Sequence, residues 1–499
     1  PVPSSYLNND NIDSMKPEHK EPVSSISLSD QLVDSFPSMG TFAKQAAADV
    51  SQREKSFSNN LSPHRFSFSS NLLSRPPQFK KEIIDHPRVA SYAFAFDIDG
   101  VLVRGPETLS HGVEAIKYLD GENPYNIKVP YIFVTNGGGK HESVRAQDLS
   151  KRLQTEITCN QIVQGHTPMK ELAGTYKNVL VVGGVGNTCR HVAKDYGFEN
   201  VFTPHDIMRW DPSVTPYYEM SEEDLGYCEC DEDVDFAKTP IDAIMVFADS
   251  RNWAADQQII LELLMSKGGY MGTISDTFED GPPIYFAHSD FVWATNYRLV
   301  RYGMGALQVS IAALFKEHTG KELKVIRFGK PQRTTFKFAE KVLDSWRKDI
   351  LEDHIEEMTS CADSTTLTSD IFSSPDDSKY KSVFPSSDSE TDDRESEDEE
   401  NIDGLTIQSL NKTLSCPDDL PPPSTVYFVG DTPESDIRFA NSHDESWFSI
   451  LVNTGVYQSE TTPKYKPKKQ CDNVFEAVKF AVEREHQKEL EEWNKNAID

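Results

Sequence analysis

The sequence predicts an α/β protein built on parallel sheet, and three observations carry that prediction. Short apolar runs alternate with helical patterns from Ala90 to Val452. Those runs are apolar throughout rather than alternating, as strands covered on both faces are. Several of them stop at Asp, Asn, Thr, Lys or Gly, the residues expected where a strand leaves the sheet for a loop.

The first such run, Ala90 to Phe96, reads as a buried strand and ends in Asp97-Ile98-Asp99-Gly100. Side chains two apart on a strand face the same way, so Asp97 and Asp99 are expected to point off one side. Ligands of open α/β sheets bind outside the carboxyl ends of the strands. Two carboxylates this close repel, and a magnesium ion would remove the conflict, because it prefers hard oxygen ligands and takes one or two carboxylates plus phosphate. Taken by itself, the DxDG stretch equally fits an Asp-rich turn.

Val113 to Leu119 reads as a helix and Tyr131 to Val134 as a second strand, ending in Thr135-Asn136 and three glycines. Ser143 to Leu153 is helical. Val179 to Val182 is a strand followed by Gly183-Gly184-Val185-Gly186, whose spacing does not fit a dinucleotide-binding turn. Ile241 to Phe247, Gln257 to Ser266 and Gly269 to Thr273 read as strand, helix, strand. Glu219 to Asp235 reads as an acidic mobile loop. Ala306 to His318 is helical, Val325 to Phe328 is a strand leading into Gly329-Lys330-Pro331, and Thr335 to Trp346 is helical. Thr425 to Val429 is a strand ending in Gly430-Asp431 and, five residues on, Asp436. Trp447 to Val452 is the last strand, and a charged helix follows from Val474 to Trp493.

The chain has 499 residues, 37% of them hydrophobic, and a net charge of −30. Such acidity argues against nucleic acid or an anionic membrane as a general partner. No run of about 18 apolar residues occurs, so no transmembrane segment is expected. Residues 345–424 hold 21 acids against 6 bases, which is half the net charge. This stretch cannot bury a core and reads as a solvated insertion. Its serines lie among acids, so it is expected to be phosphorylated or to bind a basic protein. Residues 1–85 are rich in Ser, Pro and Asn and read as a disordered tail; 62–79 hold arginines and many serines but no acid, in the manner of a transit peptide. Seven scattered cysteines, including the Cys228-x-Cys230 pair, read as reduced thiols in an intracellular protein, either mitochondrial or cytoplasmic.

Four strand ends, taken in order, supply what phosphoryl transfer needs. Asp97 is a nucleophile, and Asp99 can give a proton to the leaving oxygen and then take one from water. Thr135 and the backbone N–H of Asn136 can hold phosphoryl oxygens, beside the positive Lys330. Asp431 is a further metal ligand, and Asp436 steadies Lys330 or the metal shell.

This order of motifs resembles the haloacid dehalogenase-like (HAD) hydrolase superfamily, in which DxD marks the phosphatases. The long α/β stretch between Asn136 and Lys330 resembles the C2-type cap of its class IIA. VTNGGG, HTPM at 166–169, DSRNWAADQQII at 249–260, HSDFVWATNY, FGKP and GDTPESDI look like the cat eye syndrome critical region protein 5-like branch. The resemblance covers about 90–345 and 424–480. It implies a Rossmann-like core over 86–158, 301–349 and 424–480, and a cap over 159–300. Residues 350–423 form the disordered acidic insertion and 481–499 a charged C-terminal helix.

The resemblance also implies magnesium held by Asp97, the Asp99 carbonyl and Asp431, phosphate held by Thr135, Asn136 and Lys330, and a cap loop whose Arg251 and Trp253 select the substrate. The activity expected is hydrolysis of a small phosphorylated metabolite through an aspartyl-phosphate on Asp97. A homodimer through the cap belongs to the same expectation. The alternative is a non-catalytic protein of the same fold that binds a basic partner through its acidic insertion.

Overall fold

Phe94 and Phe96 face one way and Ala93 and Ala95 the other, so the first strand is buried on both faces, and it is paired with a neighbour on each side. The computed structural model describes residues 88–293, 295, 297–366, 420–457 and 461–496, and for 358–366 and 496 the backbone alone. The expected N-terminal tail, 1–85, lies outside these residues, as does 367–419 of the acidic insertion.

The principal strands, in chain order, are β1 (Ala93–Phe96), β2 (Tyr131–Val134), β3 (Ile162–Val163), β4 (Asn178–Val182), β5 (Asn200–Phe202), β6 (Ala243–Val246), β7 (Ile284–Phe286), β8 (Val325–Arg327), β9 (Val426–Gly430), β10 (Trp447–Val452) and β11 (Lys469–Cys471). They form two sheets, ordered β11-β10-β9-β1-β2-β3 and β8-β7-β6-β4-β5. Every pairing within the two is parallel.

Both faces of the first sheet are covered. Phe94, Phe96, Tyr131, Phe133, Tyr427 and Val429 pack with the helices Ser110–Leu119 and Val474–Asn496. The opposite face carries Ala93, Ala95, Ile132 and Val134. The small Ala93 and Ala95 leave room for Phe439 and Trp447, which pack with Phe336 of the helix Arg333–Thr366. The charged C-terminal helix is therefore part of this core, since Val474, Val478 and Val482 are buried and its buried Glu485 is bonded to Tyr427 and Lys488. The second sheet has its own core, from Val179 through Ile244, Ile260 and Phe286 to Phe315.

Several expectations are corrected. Val325–Arg327 is the edge strand of the second sheet, paired with β7, and not a strand of the first. Helix Met304–Thr319 goes with it, burying Leu307, Ile311 and Phe315 in the second core. The second lobe thus runs to Phe328 rather than ending at 300. At its start, Ile162–Val163 pairs with β2, so the lobe begins after 163 rather than at 159.

Gly269–Thr273 is not a strand: Gly268, Gly269 and Gly272 all have positive φ and make a turn, and Ile284–Phe286 fills the position beside β6. The acidic loop 219–235 is tied down. Buried Asp206 accepts from the N–H groups of Glu229 and Cys230, and Glu229 pairs with Lys194 at 2.6 Å. The helix Arg333–Thr366 carries regular structure 17 residues into the stretch expected to be disordered from 350.

Candidate active site

β1 and β9 are neighbours in register, Phe96 opposite Val429, so the residues that follow them, Asp97 and Gly430-Asp431, emerge side by side. Carboxylate oxygens of Asp97, Asp431 and Asp436 all lie within 4.8 Å of one another, and all three residues are buried. Lys330 arrives from the second sheet. Its Nζ donates to Asp97 Oδ1 at 2.7 Å and sits in ion-pair contact with Asp436 Oδ1, also at 2.7 Å. The ammonium of this lysine lies over Phe428, with Nζ 5.4 Å from the ring centre.

Asp436 turns its other oxygen to the backbone, accepting from the N–H groups of Asp431 and Thr432 at 3.0 Å each. Both its oxygens are thus engaged. Asp431 accepts from Val456 N–H at 2.6 Å. The chain packs so closely on this carboxylate that a β-carbon on Gly455 would lie 1.8 Å from Asp431 Oδ2, and one on Gly100 2.4 Å. Gly100 also has a φ of +95°, which glycine adopts freely.

Burial holds the Asp97 carboxyl well above the ordinary range, against the pull of Lys330 and helped by Asp436 and Asp431. Burial, then Asp436, pushes Asp431 up to about 7. Burial draws the Lys330 ammonium down, but Asp436 and Asp97 outweigh it and raise it, so it stays charged. One ammonium faces three carboxylates, and the cluster is short of positive charge. A divalent cation with hard oxygen ligands fits that deficit. With Asp436 engaged by Lys330 and the backbone, Asp97 and Asp431 are the carboxylates that would hold it.

Thr135 and Asn136 follow β2, the other neighbour of β1. Both are buried. Thr135 Oγ1 accepts from Gly137 N–H at 3.0 Å, which leaves its own proton to donate. Asn136 does more than offer a backbone N–H, because its side chain bonds both to Lys330 and to Asp290.

Asp99 does not share the Asp97 cluster. Its side chain is 48% exposed and paired with Arg145 at 2.9 Å. Regular strand geometry ends at Phe96, so the period-two argument does not extend to 99.

Arg251 is exposed, and its Nη1 donates to Asp249 O at 3.1 Å. Trp253 is half-buried against the second core. Their loop lies near the glycines after Asn136: a β-carbon on Gly139 would lie 2.9 Å from Ala248 Cβ. The sequence reading missed Arg145, Asp290 and the close approach of Gly455. Asp290 had a usable signal, a carboxylate four residues past the end of β7.

Two family descriptions match the chain: haloacid dehalogenase-like hydrolase over residues 94–199 and HAD-hydrolase-like over 406–477. A cardiolipin synthase (CMP-forming)/mitochondrial hydrolase fusion protein of Schizosaccharomyces pombe is 34% identical over 409 residues, 82% of this chain and 56% of the fusion protein. The chain thus spans about half the length of that relative. A mitochondrial hydrolase of Saccharomyces cerevisiae is 32% identical over 396 residues, 79% of this chain and 96% of the relative. Among solved structures, a thermostable NPPase variant from Geobacillus stearothermophilus aligns over 78% of this chain and 97% of its own, at 15% identity and a TM-score of 0.41.

Proposed function

Because this chain belongs to the haloacid dehalogenase-like hydrolase family, we propose that it is a magnesium-dependent phosphatase acting on a small phosphorylated metabolite. The observation that carries the reading is the convergence of Asp97, Asp431, Asp436 and Lys330 at adjacent strand ends, with Thr135 and Asn136 beside them.

Asp97 Oδ attacks phosphorus, the bond from phosphorus to the leaving oxygen breaks, and an aspartyl-phosphate forms on Asp97. Asp99, in its protonated form and no longer paired with Arg145, would give that proton to the leaving oxygen. It then takes a proton from water as the water attacks phosphorus and frees Asp97. The Thr135 hydroxyl and the Asn136 N–H hold phosphoryl oxygens, and Lys330 offsets their charge. Magnesium, held by Asp97, the Asp99 carbonyl and Asp431, would supply charge neutralisation at the phosphoryl group. The loop of Arg251 and Trp253 selects the remainder of the substrate. The relatives' names support a mitochondrial location, and no helix among the described residues is long and apolar enough to cross a membrane.

The test is phosphate release by the purified full chain, with magnesium and with chelator, across a panel of phosphorylated metabolites. Magnesium-dependent release from at least one member is expected, and its absence in Asp97→Asn. Release that survives Asp97→Asn, or no release from any member, would overturn the reading.

A further inference from the structure

β7 and β8 are adjacent and parallel, Phe286 opposite Arg327, so the segments that follow them leave the second sheet at the same edge. One segment carries Asp290 and the other Lys330. The side chain of Asn136, from the first sheet, inserts between them. Its Nδ2 donates to Asp290 Oδ2 at 2.9 Å and to the Lys330 carbonyl at 3.1 Å, while its Oδ1 accepts from Lys330 N–H at 2.7 Å. Three of the amide's four hydrogen-bonding positions are thereby filled, and the assignment of oxygen and nitrogen is the only one that satisfies these partners.

The fit around this amide is close. A β-carbon on Gly329 would lie 2.7 Å from Asn136 Oδ1 and 2.5 Å from Ala287 O. Asp290 is itself held. Its backbone N lies 3.3 Å from His288 Nδ1, and its Oδ2 lies 3.7 Å from the same nitrogen. His288 Nε2 faces Asp249 Oδ2 at 4.0 Å. Burial raises the Asp290 carboxyl, opposed by His288 and by the bond from Asn136.

We propose that Asp290 is a positioning residue: it fixes the Asn136 amide, the amide fixes the Lys330 backbone, and the seating of the second lobe thereby sets where the Lys330 ammonium lies. Lys330 belongs to the segment leaving the second sheet, yet its Nζ must reach Asp97 and Asp436 on the first. Asn136 is the bridge that holds the lysine's backbone to the first sheet, and Asp290 prevents that amide from rotating. A misplacement of about 1 Å in such an arrangement costs on the order of 100-fold in rate.

The test has a kinetic arm, which rests on the phosphatase reading, and a labelling arm, which does not. In the kinetic arm, Asp290→Ala is expected to lower kcat on a generic aryl phosphate by about 10- to 100-fold with KM within about threefold. Asp290→Asn keeps an oxygen acceptor for Asn136 and should recover most of the loss. In the labelling arm, an amine-reactive reagent is applied to the native full chain and modification at Lys330 is read by mass spectrometry. Lys330 is 2% exposed, so wild type should label slowly, Asp290→Ala several-fold faster, and Asp290→Asn near the wild-type rate. Should Asp290→Ala fail to fold, Asp290→Ser replaces it with the same expectations.

Wild-type labelling of Lys330 in the folded Ala or Ser variant would overturn the proposal, whether or not the wild type hydrolyses any phosphate. So would an Asn variant as impaired as Ala in both arms. A wild type without activity, together with faster labelling in Asp290→Ala, would overturn the phosphatase reading and leave the positioning role supported.

Discussion

Asp436 holds the Lys330 ammonium at 2.7 Å with one carboxylate oxygen and caps the backbone of Asp431 and Thr432 with the other. It thereby joins the charge on one lobe's exit segment to the turn that presents Asp431 on the other. Removing one partner of a buried pair leaves an uncompensated charge and costs about 3–5 kcal/mol. Lys330→Ala should therefore lose stability of that order in denaturant unfolding with chelator present. It should also regain more on adding magnesium than wild type does, since the cation becomes the cluster's only positive charge. Equal magnesium-induced gains in the two proteins would contradict this account.

Asp97→Asn keeps the side chain's shape and removes its nucleophilic charge. Turnover of an aryl phosphate should fall by at least about 10³-fold, the scale seen when a nucleophile is deleted. The variant should fold, because neutralising one of three neighbouring carboxylates relieves repulsion. Circular dichroism together with steady-state rates checks both halves. A folded variant with wild-type kcat refutes the nucleophile assignment.

The Asp431 carboxylate occupies the space a side chain at 455 would need. Gly455→Ala should cost about 1–3 kcal/mol as an overpacking change and lower activity, because the displaced oxygen belongs to Asp431, the proposed metal ligand. Thermal unfolding and kcat measure the two effects. A variant unchanged in both would show that the loop can withdraw.

His166 gives a pH prediction away from the Asp97 cluster. It is fully buried, stacked on Phe247 with ring centres 5.3 Å apart, and bonded through Nδ1 to Tyr196 at 2.8 Å. Burial pulls its pKa down to about 4, with Glu142 opposing. Below its ordinary value of 6.5 the unfolded chain binds a proton that the folded chain refuses. The stability linked to this group is thus present above pH 6.5 and is lost as pH falls towards 4. Unfolding free energy measured from pH 7 to pH 4.5 should fall less steeply in His166→Gln than in wild type. Parallel curves would exclude His166 as a source of the acid sensitivity.

Much of this architecture was legible in the sequence because fully buried parallel strands advertise themselves. Val426–Gly430 and Tyr131–Val134 are apolar runs that end in chemistry, and both lie beside β1. Val325–Arg327 misled because an edge strand of one sheet can hand its next residues to another; periodicity reports a strand but not its sheet. Asp99 misled because its orientation depends on a turn after Phe96. Asp290 could be suspected from its place just past the end of β7, but its partner was hidden, because Asn136 is 154 residues away and no local pattern encodes that meeting.

The acidic insertion yields the last prediction. The helix Arg333–Thr366 leads into it, and the chain is described again from Leu420, where Arg347 Nη1 donates to Pro421 O at 3.0 Å. The return point therefore docks on the helix near its middle, 19 residues before its end. At about 1.5 Å per residue that end lies on the order of 28 Å further along the axis. A Gly/Ser chain spans about 5–6 Å times the square root of its length, so roughly 25 residues would bridge the gap without strain. Replacing 367–419 by such a linker should leave kcat and KM with magnesium within about twofold, because the strand ends that form the cluster are held by β1, β2 and β9 and not by the insertion. It should also remove any phosphorylation by acidophilic kinases at Ser387, Ser389 and Ser396, which lie among acids. Each phosphate there would add about −1.5 to −2 charges to a strongly negative segment, strengthening its attraction to a basic partner. A linker variant that melts cooperatively but loses most of its kcat would show instead that the insertion helps to build the site.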